Sequence, residues 1–332
     1  MAGRRRTDDG TGTAAYIVSR AANGVAESVT LVRLGNWIGD VVMALPALRL
    51  LADNGHRLQL VGKRWAADLL QGTGWEVHAY PSGWRERTLL LRELAAQGQT
   101  AQALCLPNSL SSALAFRLAG VPAVGYRNEG RALLLARSLP LPRVSMHEVQ
   151  RHWLLACQLL DRATPLPNRI ELPVSPAHQH SASRLLAQAG VRPGFIAVAP
   201  FAASGFAGRD KCWPHFPAFL QVAAKFGRDI VVCPGPGDEQ AQARALPGVI
   251  VLDGLGLGAY LALLGRAALV LSNDTGPGHM AAATGVPVLS LFGPSDPRIF
   301  GPWGPNVSWM HDPNWPSVDA VLQRAQSLLE QA

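Results

Sequence analysis

Short apolar runs alternate with longer segments of helical periodicity along residues 28–329, and most runs end in a polar or glycine-containing turn. Apolar runs of about four to eight residues bounded by such turns are typical of buried strands in a parallel sheet. Strands that alternate with helices in this way predict βαβ units, and therefore an α/β fold. The predicted strands cover residues 28–34, 58–62, 75–80, 102–106, 124–127, 195–199, 230–233, 268–271 and 286–292.

The pattern breaks between residues 165 and 176, where four prolines interrupt a stretch with little periodicity. Such a stretch is typical of a linker, so two α/β domains are expected. The expected segments are a loose N-terminal extension (1–28), a first domain (29–170), a second domain (171–315) and a C-terminal helix (316–332) that can pack back on the first domain.

The most informative stretch is A-L-V-L-S-N-D-T-G-P-G-H-M-A-A-A-T-G-V-P-V-L-S-L-F-G, residues 268–293. It predicts a strand, a polar turn, a helix with Pro277 in its first turn and Gly285 as its C-cap, and a second strand. The turn presents backbone N–H groups at a helix N-terminus, which suits a phosphate or diphosphate. An ordinary crossover would look similar, but Asp274 and His279 beside the turn favour a bound ligand.

The loop after the first strand, G-N-W-I-G-D (35–40), places Asp40 where the next helix begins. Asp is a good helix N-cap, and that explanation stays open. The alternative is a carboxylate at the carboxyl end of the strand, facing the crevice in which open α/β sheets bind ligands.

Other strand ends also carry polar groups. Lys211 is one of only three lysines, and its flexible point charge suits a phosphate, although a plain surface lysine is the alternative. Glu239 begins a helix, where it either stabilises the N-terminus or binds a ribose hydroxyl. Asn108 and Ser109 open another helix, and capping explains only part of their turn, so the remaining polar groups can bind a sugar.

Composition indicates a globular protein, because 48% of the residues are hydrophobic and 16% are charged. No apolar run approaches the roughly 18 residues that span a bilayer, and no apolar segment follows the N-terminal arginines. Neither a membrane span nor a signal peptide is therefore expected. The four cysteines lack metal-ligand spacing, so free thiols in a reducing compartment are expected.

The net charge of +7 is concentrated in the first half of the chain. Residues 1–170 contain 20 Lys and Arg against 12 Asp and Glu, whereas residues 171–332 contain 10 against 11. An anionic membrane surface or an acidic substrate would explain this excess. Nucleic acid is the least supported partner, since no helix-turn-helix, zinc-finger or RNA-binding signature occurs.

Five strings in register resemble glycosyltransferase family 9. They are G-N-W-I-G-D (35–40), L-P-N-S-L-S-S-A-L (106–114), V-G-Y-R-N-E-G-R (124–131), K-C-W-P (211–214) and D-T-G-P-G-H-M-A-A-A-T-G-V-P (274–287). The resemblance extends over residues 29–326 and implies the GT-B architecture, in which two Rossmann-like α/β/α domains face each other across a cleft. It implies an inverting, metal-independent transfer of L-glycero-D-manno-heptose from ADP-heptose to the inner core of lipopolysaccharide, without a cofactor.

The resemblance also implies residue roles. Asp40 matches the general base that takes the proton of the acceptor hydroxyl, and Lys211 matches the lysine that neutralises the leaving diphosphate. Asp274 matches a carboxylate on the donor sugar, and Thr275 with Gly276 the backbone donors to the diphosphate. The candidate donor-binding residues are Lys211, Glu239, Asp274, Thr275, Gly276, Pro277, Gly278 and His279.

Within that set, Glu239 matches an acid on the nucleotide ribose, and His279 has no defined role. Gly278 and Cys212 depart from the family pattern, which commonly has a larger apolar residue and a basic or aromatic residue there. No D-x-D string is present to hold a metal on the diphosphate, so lysine, a helix N-terminus and backbone amides must compensate its charge.

The basic first half suits an anionic glycolipid acceptor and the anionic inner face of the inner membrane, so a cytoplasmic, peripheral location is expected. The candidate acceptor-binding residues are Lys63, Arg64, Asn108, Ser109, Arg127 and Arg131.

Other functions stay open. A nucleotide-sugar epimerase of the same fold would turn over the donor without an acceptor. A dehydrogenase is disfavoured, because Gly35 and Gly39 do not have G-x-G-x-x-G spacing. A non-catalytic carbohydrate-binding protein, another nucleotide sugar or another acceptor are further alternatives.

Overall fold

The computed structural model describes residues 28–98, 100–128, 130–142, 145–202 and 205–331. The expected N-terminal extension lies outside the described residues apart from Ser28, which begins the first strand. Glu129, in the third of the strings quoted above, also lies outside them.

Two parallel sheets form the framework. Their strands are β1 (Ser28–Arg33), β2 (Arg57–Gly62), β3 (Glu76–Ala79), β4 (Thr100–Cys105), β5 (Ala123–Arg127), β6 (Arg137–Pro140), β7 (Ile196–Ala199), β8 (Ile230–Val232), β9 (Ile250–Val251), β10 (Leu269–Asn273), β11 (Val288–Phe292) and β12 (Val307–His311). The first sheet has the order β3-β2-β1-β4-β5-β6 and the second β12-β11-β10-β7-β8-β9. The strand ends that carry the candidate site residues therefore lie along the carboxyl edges of the two sheets.

Helices connect these strands and cover both faces of each sheet. They are α1 (Ile38–Asp53), α2 (Trp65–Leu69), α3 (Trp84–Ala95), α4 (Leu110–Ala119), α5 (Glu148–Leu159), α6 (Pro176–Gln188), α7 (Phe216–Ala223), α8 (Asp238–Arg244), α9 (Leu257–Leu264), α10 (Gly276–Thr284), α11 (Pro297–Phe300) and α12 (Val318–Gln331). In the first sheet, α3 and α4 pack on one face and α1 and α5 on the other. The predicted α/β fold with two sheets is confirmed.

One apolar core joins the two halves, since it contains buried side chains of α1 and α5 together with those of α9 and α10. The first turns of α1 and α10 meet so closely that a Cβ on Gly276 would lie 2.7 Å from Ile38 Cβ. A second link is formed by Asp68 in α2, which accepts the Gly258 N–H at the start of α9 (3.0 Å) and pairs with His178 of α6 (2.9 Å). The candidate base and the candidate donor helix are thereby held against each other.

The C-terminal helix does not pack on the first domain, where the sequence analysis had expected it. Its apolar stripe of Val321, Ala325 and Leu328 lies in the same core as Phe216 and Phe219 of α7. α12 therefore packs on the second sheet and not on the first domain, because its stripe covers the sheet face that α7 leaves partly open.

Candidate active site

Asp40 lies in the first turn of α1, immediately after the carboxyl end of β1. The N-cap of this helix is Trp37, so the N-cap explanation for Asp40 is wrong, although the Trp37 backbone does hydrogen-bond to the carboxylate. A side chain on Gly35 would overlap Asp40 Cβ, which explains why the loop needs glycine there. The carboxylate is thus positioned by the tight turn that ends β1.

The environment of Asp40 raises its pKa to about 6. Burial is the largest cause, and the negative charge of Glu148, at the start of α5, acts in the same direction. The hydrogen bond from Trp37 and the positive charge of Lys211 act in the opposite direction. A carboxylate with a pKa near that of its working medium is suited to general-base catalysis.

On the other side of the domain interface, Lys211 and Asp274 form a buried ion pair. Lys211 Nζ lies 2.6 Å from Asp274 Oδ2, and the exposed fractions of the two side chains are 17% and 6%. Ser295 Oγ donates to the same carboxylate oxygen (2.7 Å). The structure therefore brings together the two candidate donor-binding charges at the carboxyl ends of β10 and β11.

Asn273, the last residue of β10, positions this pair. Its Oδ1 accepts the backbone N–H of Trp213 (2.9 Å), and its Nδ2 donates to Pro200 O at the end of β7 (2.8 Å). Trp213 is itself buried and donates its indole N–H to Pro316 O (2.9 Å). The loop that carries Lys211 is consequently fixed to two strand ends.

Two residues at the start of α10 that were expected to bind the sugar donor make contacts within the protein instead. The Thr275 N–H donates to Asn273 O (2.8 Å), so this donor is committed to the turn and is not directed at a diphosphate. Gly278 faces the sheet, where a Cβ would lie 2.5 Å from Ser272 Oγ, so this glycine serves close helix–sheet packing and not ligand contact. Gly276 begins the helix with Pro277 directly after it, as the sequence predicted, and Gly285 is the C-cap with φ 88°.

His279 is buried where α10 meets α1. A Cβ on Gly39 would lie 3.0 Å from His279 Cδ2, and Nδ1 has no hydrogen-bond partner among the residues that the structure describes. Burial lowers its pKa to about 4, so the ring is neutral at physiological pH. His147, the N-cap of α5, donates its Nε2–H to Gly301 O across the same interface (2.9 Å).

Glu239 lies in the first turn of α8, and its Oε2 accepts the Gly235 N–H of the loop after β8 (2.7 Å). The side chain therefore orders its own strand-end loop, which leaves Oε1 as the oxygen available to a ribose hydroxyl.

The candidate acceptor residues lie at the ends of β2, β4 and β5, along the same edge as Asp40. Four of them are exposed: Lys63, Arg64, Ser109 and Arg127. Asn108 has a buried Oδ1 without a partner, and Arg131 is fully buried with Nη1 donating to Pro107 O (2.5 Å). The structure thus places Arg131 beneath the surface on which the sequence analysis expected it.

Several residues of this region were missed by the sequence analysis. Ser295 follows a predicted strand directly, so the rule that polar strand ends bind ligands would have identified it. Glu148 begins α5 and His147 is its N-cap, and no sequence pattern connects them with Asp40.

The described residues contain no group of three His, Cys, Asp or Glu side chains placed to hold a metal ion. No helix within the described ranges is both long and apolar enough to cross a bilayer.

Comparison with known proteins gives consistent matches. Residues 87–328 match the model of glycosyltransferase family 9 (heptosyltransferase). The chain is 26% identical to lipopolysaccharide heptosyltransferase 2 of Escherichia coli K12 over 301 residues, which are 80% of this chain and 83% of that protein. It is 32% identical to lipopolysaccharide heptosyltransferase 3 of Escherichia coli over 142 residues, but this match spans only 40% of the chain and 41% of that relative.

Among solved structures, E. coli ADP-heptose lipopolysaccharide heptosyltransferase II superimposes with a TM-score of 0.77 at 24% identity, covering 91% of this chain and 98% of that one. The chain therefore has the GT-B fold of its structural neighbours, as the resemblance implied. Because the family match covers residues 87–328, which is more than half of the chain, the protein belongs to glycosyltransferase family 9, the heptosyltransferases, and is a glycosyltransferase.

Proposed function

We propose that the protein is an inverting, metal-independent heptosyltransferase that moves L-glycero-D-manno-heptose from ADP-heptose to the inner core of lipopolysaccharide. One observation carries the proposal: the first turn of α1, which contains Asp40, packs against the first turn of α10, which directly follows Asp274 and Thr275, and Asp274 is the ion-pair partner of Lys211. An inverting transfer needs a base for the acceptor and a positive charge for the departing ADP. The names of two relatives support this choice of substrates, since they mention ADP-heptose and lipopolysaccharide.

On the acceptor side, Asp40 is the base. The acceptor oxygen attacks the anomeric carbon from the face opposite to ADP, the bond from that carbon to the diphosphate oxygen breaks, and the hydroxyl proton passes to Asp40. A carboxylate with a pKa of about 6 is deprotonated at neutral pH and still accepts a proton more readily than an ordinary aspartate.

On the donor side, Lys211 and the N-terminus of α10 compensate the diphosphate charge. Lys211 is partly exposed while Asp274 is almost fully buried, so the lysine exchanges part of its pairing with Asp274 for a phosphate oxygen when the donor binds. The Gly276 N–H at the helix start adds a dipolar contribution. Asp274 then stands next to the donor sugar, with Ser295 holding its carboxylate.

We propose that these groups take the place that a divalent metal has in other glycosyltransferases. The corresponding test is direct. ADP-heptose turnover is expected to be unchanged by EDTA and by added Mg²⁺ or Mn²⁺, and a loss of turnover on chelation that the metal restores would contradict metal independence.

The acceptor proposal includes a location. An inner-core glycolipid lies in the cytoplasmic leaflet of the inner membrane, so the protein would act there as a peripheral cytoplasmic protein. The exposed cations Lys63, Arg64 and Arg127 lie at the same sheet edge as Asp40 and suit both the acidic acceptor and the anionic lipid surface. Binding to vesicles with and without phosphatidylglycerol tests this step.

The decisive experiment measures ADP release from ADP-heptose with a panel of truncated lipopolysaccharide acceptors. Release that depends on an acceptor and adds one heptose to it, detected by mass spectrometry, supports the proposal. Release without an acceptor, with free sugar as product, indicates an epimerase or a hydrolase. Release only from another nucleotide sugar, or only with an acceptor of another class, would overturn the substrate assignment and keep the family.

Asp40→Asn and Asp53→Asn form a matched pair for this assay, since both residues lie in α1 but Asp53 is its last residue. Only Asp40→Asn should lose transfer. A carbohydrate-binding protein without catalysis would show no transfer with either variant or with the unmodified chain.

A further inference from the structure

A second group of strand-end side chains lies in the first domain, where β1 and β4 run side by side. α1, which follows β1, packs on one face of the sheet, and α4, which follows β4, packs on the other. The loops after these neighbouring strands diverge, and open α/β sheets bind ligands in the crevice that such a divergence creates. Arg33 is the last residue of β1 and therefore lies at this point of the sheet edge.

Arg33 is buried without an acidic partner. Its side chain is 7% exposed and pairs with no carboxylate in the described part of the chain. Nη1 donates to Leu34 O and Nη2 to Asn36 Oδ1 (2.8 Å), while Nε has no partner. Asn36 is exposed, so its neutral amide oxygen occupies a position in which a charged oxygen would bind a guanidinium more strongly.

Arg131 adds a second buried positive charge at the same end of the sheet. It is fully buried, and neither Nε nor Nη2 has a hydrogen-bond partner among the described residues. The charges of Arg33 and Arg131 both act on the thiol of Cys105, whose pKa burial raises, so both guanidiniums lie near this thiol. Burying two cations is costly where, as in the described part of the chain, no carboxylate pairs with them, and an anion in the crevice would offset that cost.

Arg87 extends the positive region toward the solvent. The Arg33 guanidinium lies 4.4 Å from the centroid of the Tyr80 ring, and that of Arg87 lies 5.0 Å from it. Arg87 is half-buried and donates to Pro81 O (2.7 Å), so it is held at the entrance of the crevice. An aromatic ring that bears two guanidiniums keeps both in place without neutralising them.

We propose that this crevice binds an oxyanion of the acceptor, a carboxylate or a phosphate group, and that Arg33 is its principal ligand. The inference rests on the proposed function, because the acceptor hydroxyl must reach Asp40. Gly35, two residues beyond Arg33, packs against Asp40 Cβ, so the bound anion lies close to the reacting hydroxyl. Arg33 then determines which hydroxyl of an acidic acceptor faces the base.

The first test compares Arg33→Met and Arg33→Lys with Arg49→Met, a matched control that removes an arginine stacked on Trp75 and distant from the crevice. Arg33→Met should raise the acceptor KM about tenfold or more, and Arg33→Lys less, whereas the KM for ADP-heptose should change by less than about twofold. The melting temperature should be unchanged or higher, because a buried unpaired charge has been removed. A lower melting temperature with an unchanged KM would show that Arg33 is only structural and would overturn the proposal.

Modified acceptors identify the anion. Two modified acceptors are compared, one with its carboxylates reduced to alcohols and one with its phosphates removed. For one of the two, the KM of the unmodified enzyme should rise by the same factor as the Arg33→Met substitution causes with the intact acceptor. Arg33→Met should then show no further loss with that acceptor. An equal, additive effect of Arg33→Met on every acceptor would contradict anion recognition.

A binding measurement keeps this inference separate from the proposed function. Inorganic phosphate and acetate are titrated at constant ionic strength with ADP present to fill the donor site. Either anion should raise the melting temperature of the unmodified protein and of Arg49→Met but not of Arg33→Met. If no acceptor accepts heptose but this difference is seen, the proposed function fails and the anion site stands; equal shifts in all three proteins overturn the site.

Discussion

Asp40 is a buried carboxyl group beside a second carboxylate, Glu148, and both features raise its pKa to about 6. A general base works only when deprotonated, so kcat/KM should fall about tenfold per pH unit below pH ~6 and level off above it. Asp40→Asn should lower kcat by roughly 10²–10⁴-fold at neutral pH and leave the KM for ADP-heptose nearly unchanged. Rates of ADP release as a function of pH measure both effects.

The decrease of kcat/KM at low pH, the acidic limb of the pH profile, also tests the role of Glu148. Replacing it with Gln removes the negative charge that raises the pKa of Asp40, so the limb should move to lower pH. An acidic limb that stays in place in both Glu148→Gln and Asp40→Asn would assign it to another group.

The Lys211–Asp274 pair makes a different prediction, because its members stabilise each other. Removing one partner of a buried pair leaves an uncompensated charge, and Lys211→Met should therefore cost about 3–5 kcal/mol of unfolding free energy. Lys211→Met/Asp274→Asn should recover much of this stability without recovering turnover. Urea unfolding and ADP release measure the two quantities, and a double variant as unstable as the single one would show that the pair is not coupled.

At the scale of elements, α1 and α10 depend on small residues at their contact. Gly276→Ala places a Cβ about 2.7 Å from Ile38 Cβ, so the two first turns must separate. We expect lower stability by roughly 1–3 kcal/mol and a loss of turnover larger than this destabilisation explains. Ile38→Ala in the same chain should restore turnover in part, measured as kcat/KM, and an absence of rescue would place the defect elsewhere.

The strands and helices that the sequence predicted are those with strong local signals. Every residue of β10 and β11 is buried, because helices cover both faces of the sheet there. Both strands therefore have continuous apolar sequences, which made them easy to predict. Of the four edge strands, β6, β9 and β12 were not predicted, since they are at most half-buried and have no continuous apolar run. The edge strand β3 was predicted although it is no more buried, so burial explains only part of this difference.

Local signals also explain which site residues were found. Asp40, Lys211 and Asp274 follow strands or glycine-bearing turns, so position alone marked them. The approach of Glu148 to Asp40 depends on how α5 packs on α1, which no local pattern encodes. Arg131 was expected at the surface because arginine is usually exposed, and tertiary packing overrode that preference.

At the scale of the whole molecule, the continuous core between the domains makes each half of the site depend on the other. The pKa of Asp40 includes a contribution from Lys211 of the second domain, and His279 of the second domain is buried against Gly39 of the first. Separation of the domains would expose both Asp40 and His279. In the proposed mechanism, acceptor activation by Asp40 is therefore coupled to the arrangement in which the two domains pack together.

This burial predicts how stability depends on pH. Burial lowers the pKa of His279 and of His152 to about 4, below the 6.5 of an unburied histidine, so the unfolded chain takes up their protons first as pH falls. Their contribution is complete above pH ~6.5 and is lost between pH ~6.5 and ~4, at up to roughly 3 kcal/mol each. Asp40 acts in the opposite sense, because its raised pKa makes the fold more stable as it is protonated below pH ~6.

Burial lowers the pKa of four histidines, since His56 and His147 are shifted in the same direction as His279 and His152. They outnumber the two buried carboxyl groups whose pKa is raised, Asp40 and Glu148. We expect the urea midpoint to fall as pH decreases from ~7 to ~5, with an unchanged slope of the transition. His152→Leu should reduce this pH dependence, because its buried ring has an Nδ1 without a partner among the described residues and no role at the site. A midpoint that is constant or rises over this range would show that the buried histidines do not control stability.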